Sequence, residues 1–175
     1  MEDYIEEELA ISEEQAREDR VLTAEIFQRP ISDIYRRPRV DTVPESAPIY
    51  EVVALMELQG VGAVAVVHDE ALVGIVSTHD LVTRVMARGL PMDSPVAKVM
   101  TRRPESFMPD DALAYLFNAI QCGSGGHFPI VDANNRPLSI VSTCEALAYI
   151  LDECPEQVTN IPSIPFRGKP ERYGA

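Results

Sequence analysis

The stretch Val73-Gly74-Ile75-Val76-Ser77-Thr78-His79-Asp80-Leu81 decides how this chain is read, because it returns as Leu138-Ser139-Ile140-Val141-Ser142-Thr143-Cys144-Glu145-Ala146. In each copy a short β-branched run ends in Ser-Thr, and a carboxylate then opens a new apolar pattern. That is the mark of a strand running straight into a helix. The first N–H groups of a helix have no partner inside it and carry the positive end of its dipole, so such a junction suits an anion. Ser77 offers a hydroxyl there, and Asp80, read as the N-cap residue, a carboxylate acceptor.

The echo extends outward. A shift of 65 positions lays Pro44 on Pro109, Ala47 on Ala112, Tyr50 on Tyr115, Ala54 on Ala119 and Ile75-Val76 on Ile140-Val141. Only the region around Gly62–His68 differs, by one residue. The core of the chain is therefore two copies of one supersecondary unit.

Each unit reads as strand, helix, strand, strand, helix. In the first, residues 31–37 form a turn and 39–43 an extended lead-in. Ser46 caps a helix in which Pro48 takes the first turn, Ile49, Val52, Val53 and Met56 face inward, and Gly60 ends the run. Residues 63–68 and 72–77 are strands around an Asp69-Glu70 turn. A helix over 80–88 buries Leu81, Val82, Val85 and Met86, and Gly89 closes it. In the second unit, 96–100 and 105–108 mirror the turn and the lead-in strand. A helix over 111–121 follows, then strands over 127–132 and 138–142, then a helix over 145–151. The organisation is an acidic, partly helical arm (1–30), copy one (31–90), copy two (91–151) and an extended proline-rich tail (152–175).

Composition narrows the function classes. Of 175 residues 46% are hydrophobic, enough for a core, and the net charge is −13. Binding to nucleic acid or to an anionic membrane surface rests on Lys and Arg neutralising phosphates, so neither is expected as a partner. Cys122, Cys144 and Cys154 form no C-x-x-C pair and are odd in number, which points to a reducing, cytoplasmic setting. No run reaches the roughly 18–20 apolar residues of a spanning helix. Ser77, His79 and Asp80 have the composition of a catalytic triad, but adjacent residues do not converge as a triad must. No metal site and no enzyme activity are expected.

The doubled unit ending in Gly-hydrophobic-hydrophobic-Ser/Thr-x-x-Asp closely resembles the cystathionine-β-synthase (CBS) domain, and a tandem pair of these is a Bateman module. The resemblance spans residues 31–151 and implies an α/β (α+β) fold in which two β-α-β-β-α repeats pack about a pseudo-twofold axis. It also implies clefts for adenosine-bearing ligands such as AMP, ADP, ATP or S-adenosylmethionine. In the family the motif Ser/Thr contacts phosphate, the Asp holds the ribose hydroxyls, and the lead-in and second strands line the adenine slot. Site one would then use Ser77, Thr78 and Asp80, with Thr42, Val43, Ala63 and Val64 around the base. Site two, around Ser142, Glu145, Phe107, His127 and Phe128, is expected to be weaker, altered or empty, since Ser139 replaces the motif glycine and Glu145 the aspartate. Arg36, Arg37, Arg39, Arg102 and Arg103 precede the lead-in strands, and Arg37, Arg39 and Arg102 are the candidate phosphate contacts.

The function so implied is a regulatory module that needs no cofactor, binds an adenine nucleotide or S-adenosylmethionine as its regulatory ligand, forms a homodimer and acts on an effector protein. The alternative is a ligand-free scaffold whose arm and tail do the work.

Overall fold

The computed structural model describes residues 25–34, 40–123 and 125–153. The expectations for the acidic arm before residue 25, for Arg36, Arg37 and Arg39, and for the tail beyond residue 153 lie outside the described residues.

Strand β1 (Thr42–Pro44) lies parallel to β2 (Ala63–His68), which pairs antiparallel with β3 (Ala71–Ser77). A short β4 (Thr101–Arg102), not foreseen from the sequence, adds to β3 and completes a four-stranded sheet in the order β1-β2-β3-β4. The β2–β3 register sets Ala63 opposite Ser77 and Val66 opposite Gly74. Asp69 and Glu70 join the strands with φ of 47° and 67°, the sense of turn that matches strand twist even without glycine. The helix Ile49–Gln59 buries Ile49, Val52 and Met56 and stops at Gly60, whose φ of 62° lets its N–H turn back to Glu57 O.

The second half repeats the plan with β5 (His127–Val131) antiparallel to β6 (Pro137–Ser142), flanked by the helices Leu113–Gln121 and Thr143–Glu153. The lead-in strand expected over 105–108 is reduced to one parallel bridge between Phe107 and Ile130. Pro104 and Pro109 flank it and have no N–H to extend a ladder.

The turn that opens each repeat is packed on the other repeat. Val96–Lys98 opens the second, yet Val96 and Val99 are buried with Ile49, Val52, Val64 and Val76 of the first. Ile31–Asp33 opens the first, yet Ile31 and Ile34 are buried with Leu113, Leu116, Phe128 and Val141 of the second. Matching backbone bonds fix both crossings: Val96 N to Ala47 O (2.8 Å) and Ile31 N to Asp111 O (2.8 Å). A third apolar cluster of Ala65, Leu72 and Val131, with Val40 and Ile140 against it, joins the two sheets. Asn135 adds two bonds across the join, its O accepting from Leu72 N (2.8 Å) and its Nδ2 donating to Leu72 O (2.9 Å).

Two sequence readings are corrected by the structure. Ser46 does not cap the first helix. Pro48 occupies the N-cap position with no side-chain cap, and the orphan donors go to the crossed segment instead, Ile49 N to Ser94 O and Tyr50 N to Met92 O, both 3.0 Å. The regular helix expected over 80–88 is one short α turn, Thr78–Asp80, then a π segment, Leu81–Val85, then a 3-10 turn, Met86–Arg88, and of the four residues expected inward Val85 is buried while Val82 and Met86 are exposed. Thr83 Oγ1 donates to His79 O at 2.8 Å, a back-bond of the kind that loosens and bends a helix.

The end of the N-terminal arm packs on the second repeat. Ile26 is buried, Phe27 meets Phe117 edge to face, and Arg29 reaches Tyr149 and Glu153.

Candidate functional site

At the end of β3, Ser77 and Asp80 form a reciprocal capping box. Asp80 Oδ2 accepts from Ser77 N (2.9 Å) and from Ser77 Oγ (2.7 Å), while Asp80 N donates to Ser77 Oγ (3.3 Å). The sequence reading of Asp80 as N-cap is thus corrected: Ser77 is the N-cap and Asp80 stands three residues in. Asp80 is only 6% exposed. Its other oxygen lies 3.2 Å from Arg84 Nε, and Arg84 Nη1 donates to Val99 O at 2.7 Å.

The second repeat builds the same box with the longer acid. Glu145 Oε2 accepts from Ser142 N (2.8 Å) and Ser142 Oγ (2.7 Å), and Glu145 N donates to Ser142 Oγ (3.1 Å). The extra methylene leaves Glu145 exposed, and the position equivalent to Arg84 is Tyr149.

Two clefts open beside these boxes. One, of about 650 Å³, is lined by Ser77, Thr78, His79, Asp80 and Arg84 from the first repeat and by Thr101, Arg103, Glu105, Gly126 and His127 from the second. The other, of about 210 Å³, combines Asp41, Gly62 and Ala63 of the first repeat with His127, Ser139, Ser142 and Glu145 of the second. Each cleft thus takes its capping box from one repeat and its opposite wall from the other. This regroups the residues named from the sequence, where Ser77 and Asp80 were combined with Thr42, Val43, Ala63 and Val64. The cause is β4: pairing Thr101 with Ile75 carries residues 101–105 past the end of β3, alongside Ser77 and Asp80.

The remaining candidates fall elsewhere. Val43 and Val64 are buried in the first core, Phe107 and Phe128 in the second, and none lines either cleft. Alternation along a strand explains this, since the face that fills a core cannot also face a cleft. Thr42 is exposed and lines neither cleft. Arg102 is exposed with Nη2 on Ala97 O (3.2 Å), whereas its neighbour Arg103, at φ 48°, lines the Asp80 cleft. Arg84 was not singled out from the sequence, although its spacing of four from Asp80 is that of a helical ion pair.

His127 belongs to both clefts rather than to site two alone. It is half-buried against Gly62, where a Cβ would come within 2.9 Å of its Nε2. Burial pushes its pKa below the ordinary histidine value, opposed by the charges of Glu145 and Asp80. The motif glycine has a packing reason of its own: a Cβ on Gly74 would lie 3.0 Å from Thr101 O and collide with the Met100 thioether. The small cleft is lined by Asp41 and Glu145 with no Lys or Arg among its described residues, while the large one holds Arg84 and Arg103. Among the described residues no group of His, Cys, Asp or Glu is arranged to hold a metal ion, and no helix is long and apolar enough to cross a membrane.

Comparison with known proteins agrees with this architecture. The family model of the CBS domain matches residues 31–87. The CBS domain-containing protein YhcV of Bacillus subtilis is 32% identical over 97 residues, covering 55% of this chain and 69% of that protein. The chain belongs to the CBS domain family. The meiotically up-regulated gene 70 protein of Schizosaccharomyces pombe is 30% identical over 110 residues, covering 62% of this chain but 15% of that protein, so this chain spans only a small part of that relative. Among solved structures, CBS domain protein PAE2072 of Pyrobaculum aerophilum, complexed with AMP, superposes with a TM-score of 0.63 at 22% identity, covering 72% of this chain and 98% of that one.

Proposed function

We propose that this chain is a regulatory module that binds an adenosine-bearing ligand in the Asp80 cleft and passes the binding event to an effector protein. One observation carries the reading. The larger cleft places a motif hydroxyl and carboxylate, Ser77 and Asp80, opposite an arginine, Arg103, that has no side-chain partner among the described residues. A carboxylate accepts from ribose hydroxyls and a guanidinium matches phosphate oxygens. The AMP complex of the similarly folded PAE2072 supports the choice of ligand class. In the smaller cleft, two carboxylates and no described cation oppose a phosphate.

Because the walls of each cleft come from different repeats, a ligand bridges the repeats and biases their arrangement. Exposed Val82 and Met86 on one terminal helix and Leu147 and Leu151 on the other provide apolar surface for a homodimer. Ser77 and Asp80 are engaged with each other in capping the helix they open, and the module is read as a binding one rather than a catalyst. Turnover of ATP by the purified protein would contradict that.

The test is a thermal-shift panel of AMP, ADP, ATP, NAD and S-adenosylmethionine on the intact chain and on Asp80→Asn. A ligand at 100 times its dissociation constant adds about 2.7 kcal/mol of apparent stability. An AMP-type shift that disappears in Asp80→Asn is the expected result. The closure of Asp80 by Arg84 favours a second reading, a ligand-free scaffold, and the absence of any shift would decide for it.

A further inference from the structure

We propose that Arg84 makes occupancy of the Asp80 cleft conditional on a phosphate, so that the protein takes a nucleotide and refuses the corresponding nucleoside. This rests on the reading that the cleft holds an adenosine-bearing ligand.

Both oxygens of Asp80 are engaged. Oδ2 accepts two hydrogen bonds from Ser77, and Oδ1 pairs with Arg84 Nε at 3.2 Å, with the Asp80 side chain 8% exposed. A sugar diol therefore reaches Oδ1 only by displacing the guanidinium. Displacement separates an ion pair whose acid is buried, and a charge left there without its partner is costly. Two hydroxyls compensate the carboxylate but bring Arg84 no negative charge. A phosphate on the same ligand does, since Arg84 lines the same cleft as Arg103 and its fork suits phosphate oxygens. A nucleoside satisfies one half of the broken pair and a nucleotide satisfies both. Discrimination then arises from the penalty on the wrong ligand as well as from contacts with the right one.

The displacement also carries a signal. Arg84 Nη1 holds Val99 O at 2.7 Å, at the end of the crossed segment that packs on the first core. Turning Arg84 toward a phosphate frees that carbonyl and loosens a contact between the repeats. Among the described residues the second repeat has no equivalent lock, because Tyr149 stands where Arg84 would be and its hydroxyl accepts from Arg29.

Isothermal titration of the intact chain with AMP and with adenosine tests this on wild type, Arg84→Gln and Arg103→Gln, with thermal melts to establish folding. Wild type should prefer AMP by at least about tenfold, a difference readily resolved in dissociation constants. Arg84→Gln should bind adenosine more tightly and AMP more weakly, collapsing the preference. Arg103→Gln should weaken AMP alone. An Arg84→Gln protein that loses both ligands by one factor reveals a structural role and overturns the proposal. One that weakens AMP and leaves adenosine unchanged reveals a plain phosphate contact and overturns it too. Should the glutamine variant not fold, Arg84→Lys decides, with a reduced preference supporting the lock and an unchanged one refuting it. Equal binding of AMP and adenosine by wild type sinks this inference alone, whereas binding of neither sinks the reading of the cleft and the inference with it.

Discussion

Replacing Ile31 by alanine should weaken the second repeat, although Ile31 opens the first. Its side chain is fully buried at 0% exposure among Ile34, Phe107, Leu113, Leu116 and Phe128. The substitution removes three side-chain carbons, worth about 0.8 kcal/mol each or about 2.4 kcal/mol in transfer free energy. The closely packed surroundings collapse only partly, and the residual cavity brings the total to about 3–4 kcal/mol, inside the range of about 2–5 for such changes. Against a domain stability of about 5–15 kcal/mol this is a large fraction. Urea denaturation measures the total, and hydrogen exchange read by mass spectrometry locates it. Protection should fall first in peptides covering Leu113–Gln121 and His127–Val131. The mirror substitution, Val96→Ala, should instead expose Ile49–Gln59. If Ile31→Ala first loosened residues 49–77 and left the second repeat protected, the crossed packing and the reasoning from it would be wrong.

Two further outcomes are expected. Gly74→Ala should cost about 1–3 kcal/mol by overpacking against Met100 and the Thr101 carbonyl, and part of that cost should vanish in a Met100→Ala background. Gly60→Ala is its control, since a Cβ there meets nothing within 4 Å and only the left-handed backbone resists, at about 1–2 kcal/mol. For His127 the sign follows from its depressed pKa. Between the folded value and the ordinary one of about 6.5, the unfolded chain holds more proton, so stability rises with pH across that window. The His127 contribution is therefore complete above about pH 6.5 and is lost as pH falls through the window. His127→Gln should flatten the dependence, and an NMR titration midpoint at or above the free-histidine value would contradict the burial argument.

Local pattern was enough for much of this protein. The repeated strand-into-helix stretch, the apolar runs along 63–68 and 72–77 around Asp69-Glu70, and the glycine stops at Gly60 and Gly89 depend on neighbours a few residues apart. Such signals survive in one dimension. Ser77 with Asp80 and Ser142 with Glu145 also have the spacing of three of a capping box, with bonds that close within one turn, although reading Asp80 as the N-cap missed it.

What the tertiary structure alone decided is which residues share a cleft. Period and spacing identify Val43, Val64, Phe107 and Phe128 as apolar strand positions but cannot say which face of the strand meets a core. Nor do they reveal that the opening turn of each repeat is packed on the other, because Ile31 and Val96 are equally apolar whichever core they fill. That exchange brings β4 onto β3, sets Arg103 beside Asp80, and ties Arg84 to Val99. The partners lie 15 to 28 residues apart along the chain, beyond the reach of any helical or strand period, and only the packing of two repeats against each other makes them neighbours.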